Sequence, residues 1–130
     1  MKTAMIFGVI MFLSVNGCQK DFEQINDTLD IIHGVPVIIS HNNILTIDSV
    51  KDSRCPTEVV CFWAGNAVVS FTFKQKQNNV SFDLNTFPGF RTDTLINHYR
   101  FTLKRLTPEN STDNPPALED YNAEVIITTE

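Results

Sequence analysis

An all-β fold, a small antiparallel β-sandwich with a closed barrel as the alternative, is what this sequence predicts. Three observations carry the prediction. Several segments alternate apolar and polar residues with a period of two, clusters of turn-forming residues separate them, and nothing after Gly34 repeats with a convincing helical period. With 130 residues the chain has room for one domain. Hydrophobic residues make up 42% of it, ten of them phenylalanine, so a substantial core is available. A domain of about 110 residues buries somewhat more than about 60% of its unfolded surface.

The chain divides into residues 1–17, 18–33 and 34–130. In the first segment Lys2 supplies a positive start, Ala4 to Leu13 is an apolar run, and Ser14-Val15-Asn16-Gly17 leads to Cys18. That is the layout of a secretory signal peptide; the run is shorter than the ~20 apolar residues a membrane-spanning helix needs. Cys18 directly after a small residue resembles the lipobox of bacterial lipoproteins, in which that cysteine is acylated and becomes the new N-terminus. The resemblance departs from the usual pattern at Asn16, which is more polar than the common small residue. Three cysteines in an exported chain leave one unpaired. Acylation of Cys18, by palmitate and related chains, removes the odd thiol, and several chains on one cysteine anchor stably where one does not. Gln19-Lys20-Asp21-Phe22-Glu23 resembles the lysine-plus-acid signal that sends some Gram-negative lipoproteins to the outer face of the outer membrane. The expected location is therefore the bacterial envelope, as an outer-membrane lipoprotein exposed at the surface if that signal is used.

Residues 19–33 are polar, with Phe22, Ile25 and Leu29 spaced by three and four, which fits a short amphipathic helix or a flexible tether. Gly34 ends the segment. Val35 to Ile39 is an apolar run in which Pro36 demands a strand edge or start, and His41-Asn42-Asn43 is a turn. Ile44 to Val50 alternates, with Leu45 and Ile47 on one face. Ala67, Val69, Phe71 and Phe73 share one face of the clearest strand, Gln75 to Asn79 turns the chain, and Val80, Phe82 and Leu84 make the hairpin partner. Lys74 and Lys76 flank that turn. Phe87-Pro88-Gly89-Phe90 is a second turn, and Thr94-Leu95-Ile96 a short strand. Tyr99, Phe101 and Leu103 mark a longer one, residues 108–116 a loop, and Tyr121, Ala123, Val125 and Ile127 the last strand. No internal repeat is present.

Cys55 and Cys61 lie between the strands, with Pro56 stiffening the loop they would close. In an oxidising compartment their proximity predicts a disulfide, worth about 2.4 kcal/mol by the chain-entropy model for seven residues. Arg54 between Asp52 and Glu58 predicts a local ion pair, worth about 0–1 kcal/mol if exposed. Trp63 has the parity of Ala67 and Val69, which puts it at the end of the core beside the disulfide, and Gly65 permits a bulge or tight bend. A redox role would favour a two-residue spacing and a helix N-terminus. A metal site would need two further ligands, and His33, His41 and His98 are scattered singly.

The stretch Asp52-Ser53-Arg54-Cys55-Pro56, with Cys61, Trp63-Ala64-Gly65-Asn66-Ala67 following, resembles a family of small, mostly uncharacterised bacterial secreted proteins and lipoproteins. Later features of that family match Phe101 to Pro108 and Tyr121-Asn122-Ala123-Glu124-Val125. The resemblance implies a fold and a compartment; it implies no reaction.

Catalysis is not expected. Ser53, His98 and the acids lack a nucleophile elbow, and Asp52 and Glu58 with Arg54 between them read as an ion pair, not a tuned acid–base pair. Neither a cofactor nor a metal is expected. The net charge of −5 and scattered basic residues, only Lys104-Arg105 adjacent, argue against nucleic acid. The expected function is a non-catalytic module, held to the membrane by its N-terminal lipid, that binds an envelope protein or a glycan or supports an envelope assembly; a protease-inhibitor-like extracellular domain is the alternative. The candidate binding surfaces are the end loops: Arg54 and Glu58 in residues 52–61, Phe87 and Phe90 as exposed anchors or buried brackets of their turn, and residues 108–118. Asp27-Thr28-Leu29, Asp48-Ser49-Val50 and Asp93-Thr94-Leu95 resemble a short bacterial O-glycosylation motif, with Thr28 the accessible acceptor.

Overall fold

A computed structural model describes Gly17 and residues 25–130. Cys18 and the remainder of the expected signal peptide lie outside the described residues.

Eight strands make two four-stranded antiparallel sheets: β1 (Asn26–Ile32), β2 (Val37–Ile38), β3 (Ile44–Arg54), β4 (Gly65–Gln75), β5 (Asn78–Asn85), β6 (Asp93–Ile96), β7 (Tyr99–Thr107) and β8 (Asn122–Thr129). One sheet has the order β2-β3-β4-β5, a plain meander; the other has the order β1-β8-β7-β6. The fold is thus a sandwich and not a closed barrel. Helical structure among the described residues is confined to two single 3-10 turns, Ser40–Asn42 and Leu118–Asp120.

The alternating segments form strands because one face of each is buried against the other sheet. Ala67, Val69, Phe71 and Phe73 of β4 are fully buried, as are Phe101 of β7 and Ala123, Val125 and Ile127 of β8. Rings interlock across the interface: Phe73 meets Phe101 edge-on at 4.9 Å, and Phe82 stacks on Phe101 at 5.2 Å. The strand over Thr94 to Ile96 and the hairpin tip at Lys76 form as expected.

Two expectations are corrected. Much of residues 19–33 belongs to the fold and not to a helix or tether: Asn26–Ile32 is an edge strand, paired with β8 from Asn26↔Thr128 to Ile32↔Asn122. Its inward positions are Leu29, half-buried, and Ile31, fully buried, with Ile25 packed beside them. Asp27, on the same parity, hides that period in the sequence. The domain boundary therefore lies before residue 26, not at 34.

The second correction concerns β3. Its inward face begins with Leu45 and Ile47, but the register slips between Ile47 and Ser49. One extra residue in an antiparallel ladder reverses the facing of everything beyond it. Val50, Asp52 and Arg54 consequently face inward, while Lys51 and Ser53 are exposed. A second slip, between Leu103 and Arg105, does the same on β7 and turns Leu106 into the core.

β3 spans about 35 Å at about 3.3 Å per residue. Its Arg54 end carries the cysteine loop. At the other end of the sandwich, beside Ile38, Ile39 and Ser40 that lead into β3, lies residue 25, whose carbonyl accepts from Thr129 N at 3.0 Å.

Candidate binding loop

The bulge in β3 builds the foundation of this site. Turned inward, the Arg54 guanidinium grips Asp52 with two parallel bonds, Nε to Oδ1 at 2.8 Å and Nη2 to Oδ2 at 2.7 Å. It also donates to Leu106 O on β7 at 2.7 Å and to Pro108 O, just past the end of β7, at 2.6 Å. The Tyr121 hydroxyl donates to Asp52 Oδ2 at 2.9 Å. The side chains are 15% exposed for Arg54 and 6% for Asp52, so this is a shielded clamp between sheets and not a surface pair. Burial alone would raise the Asp52 carboxyl, but bonds from Arg54 and Tyr121 outweigh it and hold it below the ordinary carboxylate range. Burial, reinforced by the bond to Asp52, pushes the Tyr121 phenol up to about 12.

Beyond the clamp, Cys55 N donates to Ala64 O at 2.8 Å and closes the β3–β4 ladder. Gly65 follows at φ +74°, and a Cβ there would lie 2.2 Å from Ser53 O, so only glycine fits. Cys55 and Cys61 form the disulfide, with Cα atoms 5.8 Å apart. The loop is tied from behind to the β7–β8 connection. Thr57 N donates to Asn110 O at 3.1 Å, and Asn110 Nδ2 to Arg54 O at 2.8 Å. Glu58 accepts from the Ser111 hydroxyl and from Thr112 N, and these bonds lower its carboxyl to about 2.

Held this way, the loop thrusts apolar side chains outward. Val60 and Phe62 are completely exposed, at 103% and 104%; Trp63 is 49% exposed and Phe90 52%. Phe87, half-buried, props Trp63 edge-on at 5.2 Å and touches Phe90 at 5.8 Å. Exposed apolar side chains grouped in this way make the loop a candidate interaction surface.

Several expectations change here. Trp63 is not in the core, because parity does not carry across a loop and β4 starts only at Gly65. Arg54 is held in the shielded clamp with its guanidinium fully engaged and is not a free surface contact. Glu58 is exposed, but its carboxylate serves as a strut. Phe90 is the exposed anchor of its turn, and Phe87 its support. The exposed apolar residues of the loop that the sequence did not single out are Val59, Val60 and Phe62; their trace was apolar side chains in a stretch claimed by no strand. Tyr121 belongs to the clamp as well as to the core.

Among the described residues, no group of three or more His, Cys, Asp or Glu is placed to hold a metal ion. Comparison with family models, curated proteins and solved structures returns no match to this chain.

Proposed function

We propose that this protein is a non-catalytic binding module of the bacterial envelope, tethered by a lipid on Cys18 and engaging a partner through the apolar apex of its disulfide loop. The observation that carries the reading is the full exposure of Val60 and Phe62 on a loop fastened from behind at several points. Leaving large apolar side chains in water forgoes about 1.5–3 kcal/mol each, which a binding role accounts for. A loop ordered in advance loses little entropy on binding.

The polarity of the fold supports the same reading. Residue 25 sits at the end of the sandwich opposite the loop, so the segment leading back to Cys18 joins the domain at the end away from the apex. The Cys55–Cys61 disulfide fits an oxidising compartment, and the likeness to small bacterial lipoproteins agrees with it.

The test is co-purification from detergent-solubilised envelopes with a C-terminally tagged chain, comparing wild type with Val60→Ser/Phe62→Ser. A partner retained by the wild type and lost from the variant supports the proposal; identical partners overturn it. Metabolic labelling with a palmitate analogue tests the anchor, with incorporation expected in the wild type and none in Cys18→Ala.

Protease inhibition is the second reading, favoured by the exposed convex loop closed by a disulfide. Slowing of any endopeptidase at near-stoichiometric ratio would install it. Against it stands the turn at Pro56–Val59 (Val59 N to Pro56 O, 3.3 Å), which bends the segment leading to the apex.

A further inference from the structure

The disulfide loop and the connection behind it carry charge of one sign. Residues 55–65 and 108–121 form the disulfide loop and the connection bonded to it. They carry Glu58, Glu109, Asp113, Glu119 and Asp120 and no Lys, Arg or His. All five side chains are exposed. The neighbouring Arg54 adds no cation to this rim, because Asp52 neutralises it inside the clamp. The exposed cations near this rim are Arg91 on the Phe90 turn and Lys104 and Arg105 of β7, which share a depression with Glu109; Lys104 is paired with Glu124 at 3.3 Å, so the five acids outweigh the free cations.

The apex cannot make an interface alone. A fully buried aromatic side chain contributes about 150–250 Å², and Trp63 and Phe90 are already half covered. A stable interface needs about 800 Å² from each partner. The partner must therefore also cover the rim, and its charge must suit what it meets there.

Resting on the reading of this loop as the binding surface, we propose that its partner is a protein with an apolar pocket bordered by lysine and arginine. A second copy of the chain would set one acidic rim against another, and like charges facing across an interface are strongly disfavoured. An anionic lipid surface would repel the same rim. A basic protein is attracted to it, and exposed charges of this kind accelerate encounter in a salt-dependent way.

The experiment places the photo-crosslinking residue p-benzoylphenylalanine at position 62 of the full chain in its own host. Crosslinking is compared between the native rim and Asp113→Lys/Glu119→Lys. Neither carboxylate takes part in the clamp or the strut, and circular dichroism checks that the fold is kept. The expected result is an adduct with another protein whose yield falls at least about tenfold on charge reversal, and falls again when envelopes are irradiated at about 0.5 M salt and not about 0.05 M. A protein adduct indifferent to charge reversal overturns the basic partner and leaves the binding loop standing. An adduct with lipid or with a second copy also overturns it. No adduct from position 62 overturns both.

Discussion

Asp52→Asn is expected to destabilise the domain by about 3 kcal/mol, although it exchanges one atom. Asp52 and Arg54 are only 6% and 15% exposed, and the carboxylate takes Arg54 Nε, Arg54 Nη2, Arg54 N and the Tyr121 hydroxyl. Removing one member of a shielded pair strands the other charge, at about 3–5 kcal/mol. The lower figure applies because the amide oxygen still accepts one bond and Arg54 keeps Leu106 O and Pro108 O. Unfolding entropy for a domain of about 106 residues is about 0.22 kcal/mol/K, so the melting temperature should fall by about 14 °C. The assay is urea and thermal unfolding followed by far-ultraviolet circular dichroism. Tyr121→Phe should cost about 1–2 kcal/mol, and the double variant should show less than the sum, since both lose the same acceptor. A loss below about 1 kcal/mol for Asp52→Asn, the scale of an exposed pair, would refute the clamp between sheets.

The remaining expectations are more local. Cys55→Ala/Cys61→Ala should cost about 2.4 kcal/mol, or about 11 °C, by calorimetry, because the cysteines are separated by 6 positions in sequence. Gly65→Ala should cost more than about 2 kcal/mol in urea unfolding, since it adds strain at positive φ to a clash with the Ser53 backbone. On acidification, the stability from Glu58 and Asp52, whose folded pKa values are depressed, is complete above about pH 4.5. It is lost as pH falls toward about 2 for Glu58; Glu58→Gln should flatten that part of the profile. At the alkaline end, Tyr121 has a raised folded pKa, so its contribution holds below about pH 10 and is lost as pH rises through about 12. Tyr121→Phe should remove that limb.

The parts of the fold legible in the sequence are those where one face of a strand is buried without interruption. Ala67 to Phe73 of β4 and Ala123 to Ile127 of β8 are such runs, and their alternation translates directly into burial. β1 was obscured because an exposed Asp27 occupies an inward parity and because Phe22, Ile25 and Leu29 also match a helical spacing. The clamp was obscured by the bulge after Ile47: the only trace is that the apolar spacing changes from Leu45–Ile47 to Ile47–Val50. The disulfide could be read from two nearby cysteines, whereas the apex could not. Whether Val60, Phe62 and Trp63 point inward or outward depends on where β4 begins and on the Asn110 and Thr112 contacts, which come from more than forty residues downstream.

The central claim, that the loop holds its apolar side chains in water, is tested most directly by acrylamide quenching of the single tryptophan, Trp63. The predicted result is emission and acrylamide quenching midway between those of a buried indole and those of the urea-unfolded chain, as expected for a half-exposed ring, with quenching suppressed further when a partner is bound. Blue-shifted emission protected from acrylamide in the free protein would contradict it and return Trp63 to the core.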